Sequence, residues 1–151
     1  MGSSRSFSSL PAAVKAFRIV YALLAANFIF PACVYFLSPA TAIAQFDFLG
    51  RLLGGGPYPF SGGESGIVWR VLGAGNVMTL GFMCLLLLWD LSKYYPVLIP
   101  LVFLKACSVL GFLVAFARTH YPAFLAVSLF DGVTVWAMVF FARRAYAAGP
   151  S

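Results

Sequence analysis

Residues 96–117 read PVLIPLVFLKACSVLGFLVAFA, and after Arg118–Tyr121 a second apolar run, 122–142, reads PAFLAVSLFDGVTVWAMVFFA. Each run reaches the ~17–25 residues that carry an α-helix across ~30 Å of hydrocarbon. Neither alternates apolar and polar residues as a barrel strand does, so helix is the conformation that satisfies every backbone group internally. The turn between them is too short for anything but an antiparallel pair. Each run carries one charge near its middle, Lys105 in the first and Asp131 in the second.

The same length and composition recur at 17–38 and 67–89. Four spans in one domain, 1–151, make an all-α integral membrane four-helix bundle. Composition agrees: 62% of the chain is hydrophobic, 17% aromatic and 9% charged, against about 25% charged in a soluble domain. A soluble domain of this size buries only about 68–70% of its unfolded surface, which leaves this apolar excess to lipid.

The net charge of +6 follows the spans rather than a polar face. Arg5, Lys15, Arg18, Lys93, Arg143 and Arg144 fall on one side, and Arg51, Arg118 and, at the boundary, Arg70 on the other. The richer side is cytoplasmic by the positive-inside rule, which puts both termini in the cytoplasm; protease accessibility of the two ends checks this, and ends on opposite sides would remove one span. No basic stripe interleaved with aromatics is present, so nucleic acid is not a partner. Met1 to Ser6 fits an N-myristoylation pattern, with a flexible start as the plain alternative. The first apolar run exceeds a signal-peptide core of ~7–15 residues, so it reads as an uncleaved span.

The connection 39–66 is the long one and is external in this orientation. Ser38 as N-cap, Pro39 at the first helical position and Gly54 as a stop predict a short helix over 39–53. Ile43, Phe46, Leu49 and Leu53 share one face of it, as in a helix lying along the membrane interface. The glycine- and proline-rich stretch 54–66 is predicted irregular, either as a slack linker or as a lid or docking surface.

Counted at 1.5 Å per residue, Asn27, Asn76, Lys105 and Asp131 all lie ~13–15 Å from one surface, one polar residue per helix at the midplane. A Lys or Asp there costs ~2.5–3.5 kcal/mol on insertion scales and normally faces a partner inside the bundle. Lys105 and Asp131 lie at nearly matching distances from the turn between their helices, which predicts an ion pair. Two accounts stay open: a pair that holds the bundle together, or a polar site for a headgroup, ion or proton. Arg70 either snorkels to the outer surface or points inward with Glu64 at the mouth of such a site. Gly66, Gly73, Gly75 and Gly81, together with Cys107 and Gly111 and with Ser128 and Gly132, the last two pairs at a four-residue spacing, predict close helix contacts.

Several chemistries lack their residues. His120 is the only histidine, so no bis-histidine haem or histidine metal site can form. Cys33, Cys84 and Cys107 are scattered within apolar runs and match no disulfide framework or zinc spacing. No nucleophile elbow, phosphate loop or HExxH motif occurs; no catalytic residue and no cofactor is expected.

Pro39 just after the first span, with Arg70, Gly73 and Gly81 opening the second, resembles the DoxX-like group of small four-helix membrane proteins. That resemblance implies an accessory membrane subunit, some such subunits being associated with quinone-linked redox complexes, and supplies no catalytic residue. The expected function is a non-enzymatic accessory or scaffolding subunit, in contact with membrane lipids and with other subunits or copies of itself. The alternative is a small transporter or binder of a lipophilic ligand that uses the Asn27, Asn76, Lys105 and Asp131 layer.

Overall fold

The computed structural model describes residues 7–38, 40–60 and 64–149, with the side chains of Phe7 and of residues 64–70 outside that description. Among the described residues all regular structure is helical: α1 (Ala12–Leu37), α2 (Ala40–Leu52), α3 (Glu64–Trp89), the short α4 (Leu91–Tyr94), α5 (Leu98–Thr119) and α6 (Pro122–Ala147). Four helices are long and apolar enough to cross a membrane: α1, α3 from Val71 onward, the stretch Leu91–Thr119 that ends in α5, and α6. Their length and composition suit a multi-pass membrane protein.

The helices outrun the expected spans at several ends. α1 opens at Ala12 rather than 17, since Ala12 to Ala16 contains only Ala, Val and Lys, none a helix breaker. α6 runs on to Ala147 through Arg143 and Arg144, which are good helix formers. α3 begins at Glu64, not 67, because one interior glycine, Gly66, costs only ~1 kcal/mol. Asp90 caps α4 by accepting a hydrogen bond from the Lys93 N–H at 2.9 Å, so the connection between α3 and α5 is itself a tight helical turn.

α1 packs along both α3 and α6, and α5 packs along α6. Near the termini the four helices close on one core, with Val14, Phe17 and Tyr21 of α1 against Cys84 and Leu87 of α3, Leu101 of α5 and Met138 of α6. The buried Tyr21 hydroxyl donates to the Met138 carbonyl at 2.9 Å, which joins α1 to α6. α1 and α3 approach closely at Gly81, where a Cβ would lie 2.5 Å from a side-chain carbon of Ile29. The other predicted contact glycines behave differently: at Gly73, Gly111 and Gly132 a Cβ would meet nothing within 4 Å, and at Gly75 only Phe36 at 3.9 Å. Four-residue spacing places small residues on one face, but it does not choose the face a neighbour occupies. Large apolar side chains such as Phe30, Trp136 and Phe103 point outward.

At the opposite end α2 folds across the bundle. Its stop is Gly54, whose φ of 78° is the left-handed conformation that glycine takes without steric cost. The Gly54 N–H donates to the Arg51 carbonyl at 3.1 Å and the Gly55 N–H to the Gly50 carbonyl at 2.8 Å, the paired bonds of a Schellman ending. Gly50 touches Tyr121: a Cβ would fall 1.9 Å from the tyrosine oxygen. That hydroxyl donates to the Phe46 carbonyl at 2.8 Å, and the Phe46 ring sits 5.6 Å from Phe112 and 5.7 Å from Phe124.

The irregular segment after α2 is tied back to it through Asp47, which accepts from the Tyr58 N–H at 3.0 Å and from Arg51 Nε at 2.8 Å. The Arg51 guanidinium, and then the Tyr58 N–H, hold the Asp47 carboxyl below the usual carboxylate range. A lowered folded-state value means that this contribution is present above the unfolded value of ~3.9 and is lost as pH falls through the folded one. Hydrogen exchange at the Tyr58 amide, corrected for its intrinsic rate, should therefore stay protected from pH 7 down to about 5. Asp47→Ala should remove that protection at neutral pH, and unchanged exchange in the variant would show that Asp47 does not hold the segment.

Candidate functional site

The turn between α5 and α6 brings their inner faces together. Its His120 adopts a left-handed backbone, φ 53°, and its N–H donates to the Phe116 carbonyl at 2.7 Å. Deeper in, the Ser128 hydroxyl donates to the Val109 carbonyl at 3.0 Å, and below it the Lys105 ammonium pairs with Asp131 Oδ1. Ser108 stands one turn along from Lys105, on the same face, and its hydroxyl donates to Asp131 Oδ2 at 2.6 Å. Both carboxylate oxygens are thus satisfied. The pair is enclosed, with Lys105 9% and Asp131 2% exposed, and Lys105 Nζ lies 5.1 Å from the centre of the Phe28 ring, within cation–π range.

This pair forms part of the wall of a groove of about 310 Å³ bounded by α1, α5 and α6 and roofed by α2. Lys105, Ser108, Asp131 and Asn27 supply polar groups, and Phe28, Pro31, Val77, Phe112 and Phe130 are among its apolar lining. From α2 come Gln45, Phe46 and Leu49. The Tyr35 hydroxyl of α1 donates to Gln45 Oε1 at 2.6 Å, which ties the roof to the wall. A few polar groups converging in a mostly apolar recess of this size is the usual form of a small-molecule site.

The predicted midplane residues divide. Asn27, Lys105 and Asp131 meet at the groove. Asn76 does not: α3 contributes the adjacent Val77, while Asn76 is exposed and makes no side-chain hydrogen bond among the described residues. Equal depth sets the level of a side chain but not its direction around the helix. Glu64 and Arg70 lie in α3 with their side chains outside the described residues.

Ser108, Tyr35, Gln45 and Pro31 belong to the site and were not singled out from sequence. Two signals were available: Ser108 three residues after Lys105, and Pro31 four residues after Asn27. Proline has no N–H, so the Asn27 carbonyl has no i+4 helical donor. Among the described residues no three His, Cys, Asp or Glu side chains come together. Cys33 and Cys107 are exposed and Cys84 is buried, all three as free thiols. Comparison with family models, curated proteins and solved structures finds no match to this chain.

Breaking a buried ion pair by removing one partner typically costs ~3–5 kcal/mol, whereas replacing both by well-packed apolar residues is often neutral or better. Lys105→Met and Asp131→Leu should each lower thermal stability in detergent sharply, and the double variant should recover most of the loss. Additive losses would mean that the two side chains do not interact.

Proposed function

We propose that this chain is a non-enzymatic multi-pass membrane protein that holds a lipophilic molecule in the groove beneath α2. One observation carries the reading: a recess of about 310 Å³ with mostly apolar lining has a buried Lys105–Asp131 pair in its wall, with Ser108 and Asn27 beside it. In this reading α2 lies along the outer interface, with Phe46 and Leu49 turned toward the bundle, and the termini face the cytoplasm by the charge count.

A second reading has its own observation. The Asn76 amide is exposed on α3 and has no side-chain partner among the described residues, and an amide facing hydrocarbon favours a neighbouring helix that can hydrogen-bond to it. That supports an accessory subunit of a larger membrane assembly, as the DoxX-like resemblance implies. The two readings are compatible, since the groove and Asn76 occupy different faces.

Purification in mild detergent followed by organic extraction tests the first. The wild-type protein should carry a lipophile close to equimolar, and Val127→Phe, which enlarges a side chain of α6 that lines the groove, should carry little while remaining folded. Equal content in both proteins would sink the groove reading. Elution with larger membrane proteins would then leave the accessory-subunit reading in its place.

A further inference from the structure

We infer that the groove takes a lipophile whose head is an uncharged oxygen group, a hydroxyl or a carbonyl, received by the Lys105 ammonium. The inference rests on the reading of the groove as a binding site and adds the chemistry of its occupant. Asp131 has one oxygen on Lys105 and the other on Ser108 and is only 2% exposed, so it presents little open surface to a cationic head. A cationic head would meet a pair whose charges cancel and would leave one uncompensated positive charge in the recess. An anionic head would meet a pair whose charges already cancel and would leave one uncompensated negative charge beside Phe28, Phe112 and Phe130, a costly burial.

What the site offers instead is hydrogen-bonding capacity without net charge. An ammonium has three donors, and among the described residues Asp131 is the only oxygen partner of Lys105. Asn27 lines the same groove and makes no side-chain hydrogen bond among the described residues. Its amide can donate and accept, and Pro31 leaves its main-chain carbonyl without the usual helical donor. A hydroxyl can accept from Lys105 and donate to an Asn27 oxygen; a carbonyl can accept from both side chains. The chain of the ligand would run along Phe46, Leu49 and Phe112 beneath α2.

Three probes with the same oleyl tail separate the possibilities in the delipidated, detergent-solubilised protein: 1-monooleoylglycerol, oleyl sulfate and oleyltrimethylammonium, followed by tryptophan fluorescence and thermal shift. Monooleoylglycerol should bind at least about 10-fold more tightly than either charged probe. The Lys105→Met/Asp131→Leu double variant should lose about 10- to 100-fold for monooleoylglycerol, the weight of a hydrogen bond from a charged donor. Tightest binding of oleyl sulfate or oleyltrimethylammonium would overturn the head assignment and leave the groove reading standing. Failure of all three to bind, with Val127→Phe indistinguishable from wild type, would remove the groove reading and this inference together. The selectivity of the wild-type protein decides the head group whether or not the double variant folds.

Discussion

The buried contact between Lys105 and Asp131 is the constraint on which the rest of the bundle turns. Neither charge can stay in apolar surroundings alone, so the inner faces of α5 and α6 must meet at one level and in one rotation. The turn at His120 and the Ser128 hydroxyl on the Val109 carbonyl set that rotation. With α5 and α6 fixed, α1 is held against α6 by Tyr21 on the Met138 carbonyl, and α3 follows α1 through the close approach at Gly81. The helices therefore pack in a chain of pairs rather than as four equal neighbours, which closes the end near the termini and leaves the α2 end less completely filled.

α2 answers that incomplete packing. Its amphipathic face brings Phe46 and Leu49 onto Tyr121, Phe124 and Phe112, and its position is set by contacts a slack linker lacks. Gly50 gives the Tyr121 ring room, Gly54 reverses the chain, and Asp47 ties Tyr58 back onto the helix. The groove exists because α2 covers the recess without inserting into it: Gln45 reaches Tyr35 at the rim, while Lys105 and Ser108 remain below.

How much of this was readable from sequence depended on which physical signal set each feature. The four long helices follow from hydropathy and length, which act over ~20 residues and tolerate local exceptions. The helix after the first span was readable from its Gly54 stop, Pro39 at its predicted start lying outside the described residues, and the Lys105–Asp131 contact from the short turn between their helices. Rotation about each helix axis was not readable in the same way. An almost uniformly apolar helix has little amphipathic stripe to show which side faces inward: Asn76 shares the depth of Asn27 and is exposed like it, but Asn27 lines the groove and Asn76 does not. Gly111 and Gly132 kept the right spacing with no neighbour beside them. Ser108 carried a signal in its spacing from Lys105, whereas Gln45 became visible only once the helices were oriented, because it acts through Tyr35 on another element.

Those geometric facts bear on whether an intramembrane ion pair is structural or functional, a choice that treats the two partners as equivalent. Here they are not. Asp131 is held on both oxygens and 2% exposed, whereas Lys105 is 9% exposed, has Asp131 as its one oxygen partner among the described residues, and stands beside Asn27. The carboxylate accepts one donor on each oxygen and is almost fully enclosed, and the ammonium has further donors with no oxygen partner among the described residues. Asp131 anchors the ammonium in the apolar wall, so the remaining Lys105 donors are held at the groove. In the proposed reading the structural and functional accounts describe two ends of one contact, with Asp131 fixing the bundle and Lys105 lining the groove.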